Sequence, residues 1–296
     1  MASLSVVISS FNEEKNIVDC LKSSAFADEI ILVDNSSTDK TKEIAKKYTQ
    51  KIFTRPNHQM LNINKNFGFL KASSEWILCL DADERITAEL AKEIITTISN
   101  PKADGYKIPR KNIIFGKWIE HTGWYPDYQL RLFKRNKGRF AEKHVHEMLK
   151  VDGEVEVLNS PIEHQNYQTI SQFIDKMNRI YTPNEAENLL KNGYSFNWLD
   201  SVRFPVREFL SRFFARKGYK DGLHGLVLSF LMAFYHLIIF VRLWEQMKFP
   251  QVDESSVIND LKTESKNLSK EFAHWTRQAK REVAKTPIEK ILARFI

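Results

Sequence analysis

The stretch that decides the fold is Trp76-Ile77-Leu78-Cys79-Leu80-Asp81-Ala82-Asp83-Glu84. Its first five residues are apolar and long enough to form a strand that is buried in a parallel sheet. Three carboxylates follow at once, so they are expected where the strand leaves the sheet, and open α/β sheets bind ligands there. Carboxylate oxygens suit Mg²⁺ or Mn²⁺, which share their coordination shell with substrate phosphates. The alternative is an acidic turn that caps a helix beginning near Thr87.

Three strand patterns precede this stretch and alternate with helical patterns. The apolar, β-rich runs cover residues 4–10, 29–33 and 51–54. This alternation predicts an α/β fold with a doubly wound, mostly parallel sheet. Asp34 and Asp81 would each end a strand of that one sheet, so we expect them to face the same ligand.

Helical patterns fill the intervals between these strands and dominate the end of the chain. Ser10-Phe11-Asn12-Glu13 matches a capping box and predicts a helix directly after it, and residues 57–73 form a helical pattern interrupted by Gly68. Strand patterning gives way to helical patterning around residues 163–169. We therefore predict a catalytic domain over residues 1–165 and a helical extension over residues 166–296.

Several motifs occur in the order typical of one enzyme family, and together they resemble family 2 glycosyltransferases. These motifs are Ser5–Glu14, Val33–Asp39, Lys65-Asn66 with Gly68, and Leu80–Glu84. The resemblance implies the GT-A fold, inverting chemistry, a nucleotide-diphosphate sugar and a divalent metal. A later group is similar to the lipopolysaccharide inner-core β-glucosyltransferases: Asp127–Arg135, Gly138–Phe140 and Val145–Glu147.

The resemblance also implies roles for individual residues. Asp34 would bind the nucleotide base, although Asn35 stands where the family more often has a second Asp. Asp83 would be the direct metal ligand and Asp81 the acid on the ribose side, also placed among the metal ligands. His146, which alternates with His144 on a strand-like segment, is a further candidate at the metal or diphosphate. The residues implied in nucleotide-sugar binding are Ser9, Asn12, Glu13, Asp34, Lys65, Asn66, Asp81 and Arg131.

An acceptor hydroxyl has a high pKa, so its attack on the sugar needs a general base. In-line displacement places that base opposite the metal, and a segment after the metal motif must supply it. The two candidates are Asp127, in a loop rich in aromatic residues, and Glu147, which ends the run His144-Val145-His146-Glu147.

Composition narrows the cellular setting. The net charge of +7 over 296 residues is modest for a nucleic-acid-binding protein, and no nucleic-acid motif accompanies it. Cys20 and Cys79 form no disulfide framework and suit a reducing cytosol. The strand pattern starts at residue four without a signal-peptide pattern, so we expect a cytoplasmic protein associated peripherally with the inner leaflet.

The membrane expectation comes from residues 203–241. Between Arg203 and Lys220 six cations accompany one acid, Glu208, and phenylalanines interleave with them, as in basic amphipathic helices at membrane surfaces. Residues 225–241 are almost wholly apolar but short for a membrane span. They are expected to lie at a membrane surface or in a homo-oligomer interface, or to pack inside a helical bundle.

The sequence therefore predicts transfer of a hexose, glucose being favoured, from a UDP-sugar to a lipid-linked saccharide or lipopolysaccharide core. Two alternatives remain at this point. One is hexose transfer to a polyprenyl phosphate, and the other is a nucleotide-sugar-binding protein without catalysis.

Overall fold

The computed structural model describes residues 2–58, 61–142 and 148–285. Its strands are β1 (Leu4–Ser10), β2 (Glu29–Asp34), β3 (Lys51–Thr54), β4 (Trp76–Asp81), β5 (Glu84–Ile86), β6 (Gly105–Ile114), β7 (Lys117–Trp118), β8 (Asp127–Lys134), β9 (Gly138–Arg139), β10 (Lys150–Val151), β11 (Val155–Val157) and β12 (Ile162–Tyr167). Its α-helices are α1 (Ile17–Ser23), α2 (Thr41–Ala45), α3 (Leu61–Lys71), α4 (Ala88–Ser99), α5 (Ile170–Lys176), α6 (Thr182–Lys191), α7 (Asp200–Leu210), α8 (Leu223–Gln246) and α9 (Glu254–Val283). Two π-helical turns and one 3-10 turn complete the helical part: Met177–Tyr181, Ser211–Ala215 and Gly218–Asp221.

The main sheet has the strand order β3-β2-β1-β4-β8-β6-β12-β5. Strands β1 to β4 pair in parallel, whereas β8 pairs antiparallel with both β4 and β6. Helices cover both faces of this sheet, which confirms the predicted α/β class. In the parallel register Ser9 lies beside Asp81 and Ser10 lies beside Asp34, so the two acids end neighbouring stretches of one sheet edge.

Alternating side chains of the central strands form two separate cores. Val6, Ile8, Leu32 and Leu80 face α1 and α4, and every one of them is fully buried. The residues of opposite phase, such as Val7, Ile31 and Val33, face α3. Strands buried on both faces explain why their sequences are nearly continuous apolar runs.

The start of α1 differs from the prediction. The capping box expected at Ser10–Glu13 is absent: α1 begins at Ile17, and its N-cap residue, Asn16, makes no side-chain capping bond. Asn12 and Glu13 instead join the loop after β1 to the loop after β2. The Asn12 Oδ1 accepts a bond from the Thr38 amide at 2.8 Å, and the Glu13 amide donates to the Thr41 hydroxyl at 2.7 Å.

Gly68 has a packing role in α3. A Cβ atom at this position would lie 2.5 Å from Val7 Cγ1 and 2.9 Å from Val33 Cγ2. A side chain would therefore push α3 away from β1 and β2. The glycine lets α3 approach the sheet closely, and α3 also carries Asn64, Lys65 and Asn66.

The chain divides into two compact units. One comprises Met1–Ile113 with Tyr125–Asn166, and the other comprises Ile114–Trp124 with Tyr167–Ile296. The change from strand to helix falls between β12 and α5, where it was predicted. The assignment of catalysis to residues 1–165 and of a supporting role to residues 166–296 stays a prediction.

The second unit is mainly helical, and α8 is its most apolar element. By length and composition α8 could cross a membrane, and no other helix in the part of the chain that the structure describes meets these two criteria. Such helices also occur in the cores of soluble proteins, so this finding is weak evidence of a span. Within its most apolar window, however, only 28% of α8 is buried.

The cations of the 203–220 segment are not the uncompensated basic face that the sequence predicts. Arg203 forms two bonds of 2.8 Å with Glu264, and Lys217 contacts Glu282 at 3.1 Å. Arg207 bonds to Glu271, and Arg212 pairs with Glu208. Most of these acids lie on α9, some sixty residues further along the chain, so the local charge pattern could not reveal them.

Candidate functional site

The site is built at the carboxyl ends of β1, β2 and β4. Asp34 ends β2 with 1% of its surface exposed, and Asp81 ends β4. Their strands are both paired with β1, so the two acids share an edge of the sheet. This placement supports the expectation that both face one ligand.

Asp81 is held between two buried cations. Lys65 Nζ lies 2.5 Å from Oδ1 of Asp81, and Arg131 Nη2 lies 2.6 Å from its Oδ2. Burial raises the pKa of the Asp81 carboxyl, but the two cations outweigh this effect and hold the pKa well below its usual range. The pKa of Lys65 is raised in turn, because the Asp81 charge outweighs the effect of burial. Asp81 is therefore a carboxylate whose two oxygens already bind cations of the protein.

Glu84 is the structural member of the carboxylate run. Its side chain is fully buried, Oε1 accepts a bond of 2.6 Å from Arg131, and Oε2 accepts a bond of 2.9 Å from the Asp81 amide. Both oxygens of Glu84 thus have partners within the protein, and Glu84 positions Arg131 next to Asp81. This agrees with a metal set predicted from Asp83 and Asp81 and not from Glu84.

Replacing Glu84 with Ala is expected to lower the free energy of unfolding by about 3–5 kcal/mol, because it removes one partner of a buried ion pair. Chemical denaturation of the purified variant measures this change. The exposed acid Glu75 gives a matched control, since Glu75→Ala is expected to stay within about 0.5 kcal/mol. A Glu84→Ala protein as stable as the control would contradict the structural role.

Asp83 and His164 form the best place for a metal ion. His164 Nε2 lies 3.5 Å from Oδ2 of Asp83, and His164 Nδ1 lies 2.7 Å from Oδ1 of Asn112. The Asn112 oxygen is an acceptor, so Nδ1 would carry a proton, and in the neutral ring this leaves Nε2, on the side of Asp83, as the nitrogen that could bind a metal. A carboxylate oxygen and an imidazole nitrogen suit Mn²⁺ as well as Mg²⁺ sites that are completed by a diphosphate.

Two protein ligands do not make a closed metal site. Among the residues that the structure describes, no cluster of three His, Cys, Asp or Glu side chains could hold a metal. Such an arrangement fits a metal that takes its remaining ligands from its substrate. His146 and Glu147, the predicted third metal ligand and the second candidate base, lie outside the described residues.

Asp127, at the start of β8, is firmly oriented. Its Oδ2 accepts bonds of 2.9 and 2.5 Å from Nε and Nη2 of Arg110, and its Oδ1 accepts one of 2.8 Å from Gln129. Burial raises the pKa of Asp127, but Arg110 outweighs it, so the pKa is lowered. Asp127 is consequently ionised at neutral pH, as a general base must be, with 27% of its side chain exposed.

A buried amide network surrounds Asp34. Asn35 donates a bond of 3.0 Å to the Ser9 hydroxyl and accepts one of 2.5 Å from Asn64, which is fully buried. The Asp34 Oδ2 accepts from the Ser37 amide at 3.2 Å, whereas its Oδ1 is buried and has no hydrogen-bond partner within the described residues. A buried oxygen without a hydrogen-bond partner is suited to accept a hydrogen bond from an N–H group of a ligand.

Asn66 and Arg131 are two further predicted binding residues, and both contact other residues of the protein. Asn66 exchanges two hydrogen bonds with the backbone of Phe140 and donates another to Glu142, so its amide orders residues 140–142. Arg131 is 5% exposed and lies between Asp81 and Glu84. A contact of either side chain with a nucleotide stays a prediction.

The order of these motifs corresponds to a known family. The profile described as Glycosyl transferase family 2 matches residues 5–149. These residues belong to glycosyltransferase family 2. The match includes Asp34, Lys65, Asp81, Asp83 and Asp127, and it confirms the resemblance and the GT-A fold that the sequence predicted.

Similar proteins match most of the chain. An uncharacterised glycosyltransferase of Rickettsia typhi is 28% identical over 83% of this chain and 88% of its own length. The lipopolysaccharide core biosynthesis glycosyltransferase LpsC of Rhizobium meliloti is 24% identical over 85% of this chain and 97% of its own. The crystal structure of TarS residues 1–349 from S. aureus has 17% identity and a TM-score of 0.43, covering 85% of this chain and 94% of that one.

Sequence reasoning missed three residues of the glycosyltransferase site: Asn64, Arg110 and His164. His164 and Asn166 are polar but alternate at buried positions of β12. Polar residues in the buried phase of a strand are a signal of a built site, and this signal was available in the sequence. Asn64 contacts Asn35 and Arg110 contacts Asp127. Because these partners are distant in the sequence, the contacts produce no such local pattern.

Proposed function

We propose that this glycosyltransferase is a metal-dependent, inverting hexosyltransferase that uses a UDP-sugar and glycosylates a lipopolysaccharide core or another lipid-linked saccharide. The observation that carries this proposal is that Asp34, with a buried oxygen that has no partner within the described residues, ends β2, while the Asp83–His164 pair follows β4, and both strands flank β1. The acceptor class rests on the similarity to LpsC.

The donor would bind at two places on this edge of the sheet, at Asp34 and at the Asp83–His164 pair. The Asp34 oxygen would accept a hydrogen bond from the imide N–H of uracil. Asp83 and His164 would hold Mg²⁺ or Mn²⁺ at the diphosphate. When bound, the metal would neutralise the charge that develops on the leaving diphosphate. Lys65 and Arg131 add two positive charges next to Asp81, and these charges keep the Asp81 carboxyl group ionised.

Proton removal from the acceptor is assigned to Asp127. Because Arg110 and Gln129 fix both of its oxygens, the carboxylate has a defined direction before the acceptor binds. Preorganisation of this kind removes the need to reorient the base during the reaction. Glu147 remains the alternative base.

A panel of nucleotide sugars, each with and without Mn²⁺ or Mg²⁺, tests the donor part of the proposal. We expect tight binding and slow hydrolysis of one or a few UDP-hexoses, with loss of hydrolysis after chelation of the metal. Isothermal titration and release of UDP are the measurements. A preference for a purine nucleotide sugar, or full activity in excess chelator, would contradict the donor or the metal assignment respectively.

A further inference from the structure

One face of α8 is apolar, exposed and continuous. Leu223 is 73% exposed, Phe230 58%, Phe234 44% and Val241 41%. The steps of seven, four and seven residues are each close to a whole number of 3.6-residue turns, so the four side chains form one line. Val227 and Leu237, both partly exposed, lie within the same line. We name these six residues the α8 stripe; its Cα atoms span about 27 Å.

The opposite side of α8 is occupied. Gly225, Leu228, Ala233, Ile239 and Leu243 are buried, and α8 packs against α6 and α7. Both of those helices carry charged residues, among them Glu185 and Arg203. Lipid could not surround α8 without reaching these charges, so α8 would lie along a membrane surface and not cross it.

Aromatic side chains of α8 contact aromatic side chains on neighbouring helical segments. Phe230 stacks on Phe209 with ring centroids 4.6 Å apart, and Phe214 contacts Phe272 edge-on at 5.6 Å. Phe209 and Phe214 also contact each other, and Phe272 on α9 is 48% exposed. Phenylalanine and leucine on one face of a helix are typical of elements that enter the boundary between lipid headgroups and acyl chains.

The area of the stripe argues against a stable subunit interface. Large side chains carry about 150–250 Å² each, so the exposed fractions of the four outer residues amount to roughly 400 Å². A stable protein–protein interface buries about 800 Å² on each partner. A patch of this size is nevertheless comparable to the largest apolar patch on a typical monomer, and such patches often have a function.

The charges near the stripe favour an anionic surface. Residues 223–244 contain no Asp or Glu, and the one acid of α8, the exposed Glu245, lies one turn beyond Val241 and is outnumbered by the cations next to the helix. The exposed cations Arg216 and Lys248 lie shortly before and shortly after α8 in the chain. Neither of them forms an ion pair within the described residues, unlike the cations that face α9.

From this exposure, area and charge we propose that the α8 stripe is a docking surface for an anionic phospholipid leaflet, on which the helix lies flat. The sequence-based expectation used both the basic residues from Arg203 to Lys220 and the apolar stretch 225–241; the proposal assigns the contact to the second and names the side chains that make it. It deepens the proposed function, because a lipid-borne acceptor would be met at the same leaflet, but vesicle binding can be measured without any transfer reaction.

Sedimentation with vesicles of equal parts phosphatidylcholine and phosphatidylglycerol tests this surface. The full chain is expected to bind, and Phe230→Ser/Phe234→Ser is expected to bind at least about tenfold more weakly, since it removes two apolar side chains from the contact. Leu223→Ser/Val241→Ser, which spares the Phe209 contact, should weaken binding in the same direction. The matched control is Ile258→Ser/Leu261→Ser, two exposed apolar residues of α9, with binding within about twofold of the parent.

Donor hydrolysis by the stripe variants should equal that of the parent, so a failure of docking is distinct from a failure of the transferase assignment. Absence of vesicle binding by the parent, or equal binding by parent and both stripe variants, would overturn the proposal. So would sedimentation velocity showing a parent dimer that the stripe substitutions convert to monomer, since the stripe would then be a subunit interface.

Discussion

Replacing Asp83 with Asn is expected to reduce sugar transfer by about a thousandfold or more, while the protein stays folded. The substitution keeps the size of the side chain but removes the anionic ligand, and a metal acting as a Lewis acid supplies several kcal/mol to such a reaction. Asp83 is partly exposed, with 18% of its side chain accessible. We therefore expect the free energy of unfolding to change by no more than about 1 kcal/mol.

Transfer rate and Mn²⁺ binding in the presence of UDP are the two measurements. Asp19→Asn is a suitable control, because Asp19 lies on α1 with 68% of its side chain exposed and only a distant contact to Arg85. His164→Ala should weaken Mn²⁺ binding as well if it is the second ligand. An Asp83→Asn enzyme that turns over at the parent rate with added Mn²⁺ would refute the metal assignment.

The contrast among Asp81, Asp83 and Glu84 shows where sequence reasoning stops. The position of the run was predictable, because five apolar residues followed by acids are typical of a buried strand that ends at a sheet edge. The separate roles were not, because they depend on Lys65 and Arg131, which reach Asp81 from sixteen residues before and fifty residues after it. Local spacing treats the three acids alike, whereas in the folded chain Glu84 is fully buried against Arg131, Asp81 lies between two cations and Asp83 lies beside His164.

The same reason explains why the ion pairs of the 203–220 segment could not be predicted. Arg203 and Arg207 are correctly predicted on a helix with an apolar face, but their charge is compensated by Glu264 and Glu271 on α9. Ion pairs between distant segments leave no periodicity in either segment. The apolar stretch 225–241 was recognised, yet only the structure shows which of its residues are left uncovered.

Exchanging Asp127 for Asn is expected to lower kcat by about 10²–10⁴-fold with nearly unchanged affinity for the donor, because a general base acts on the acceptor and not on the nucleotide. The amide can still accept a bond from Arg110, so the loop is expected to keep its position. In the parent enzyme, Arg110 lowers the pKa of Asp127. The base therefore stays ionised as the pH falls, and activity that depends on it should be lost only below the usual pKa range of Asp.

Steady-state kinetics across pH, with donor affinity measured separately, distinguishes this base from its rival. Glu147→Gln should cause a much smaller loss of kcat if Asp127 takes the proton, and the opposite ranking would assign the base to Glu147. Arg110→Lys keeps one positive charge but not the two-bond geometry that orients the carboxylate. This variant should reduce kcat less than Asp127→Asn does. The acid limb of its pH–rate profile should lie at higher pH, because a positive charge that is held less closely lowers the pKa of Asp127 less. An Arg110→Lys enzyme with an unshifted acid limb and Asp127→Asn at the parent rate would together show that Asp127 is not the base.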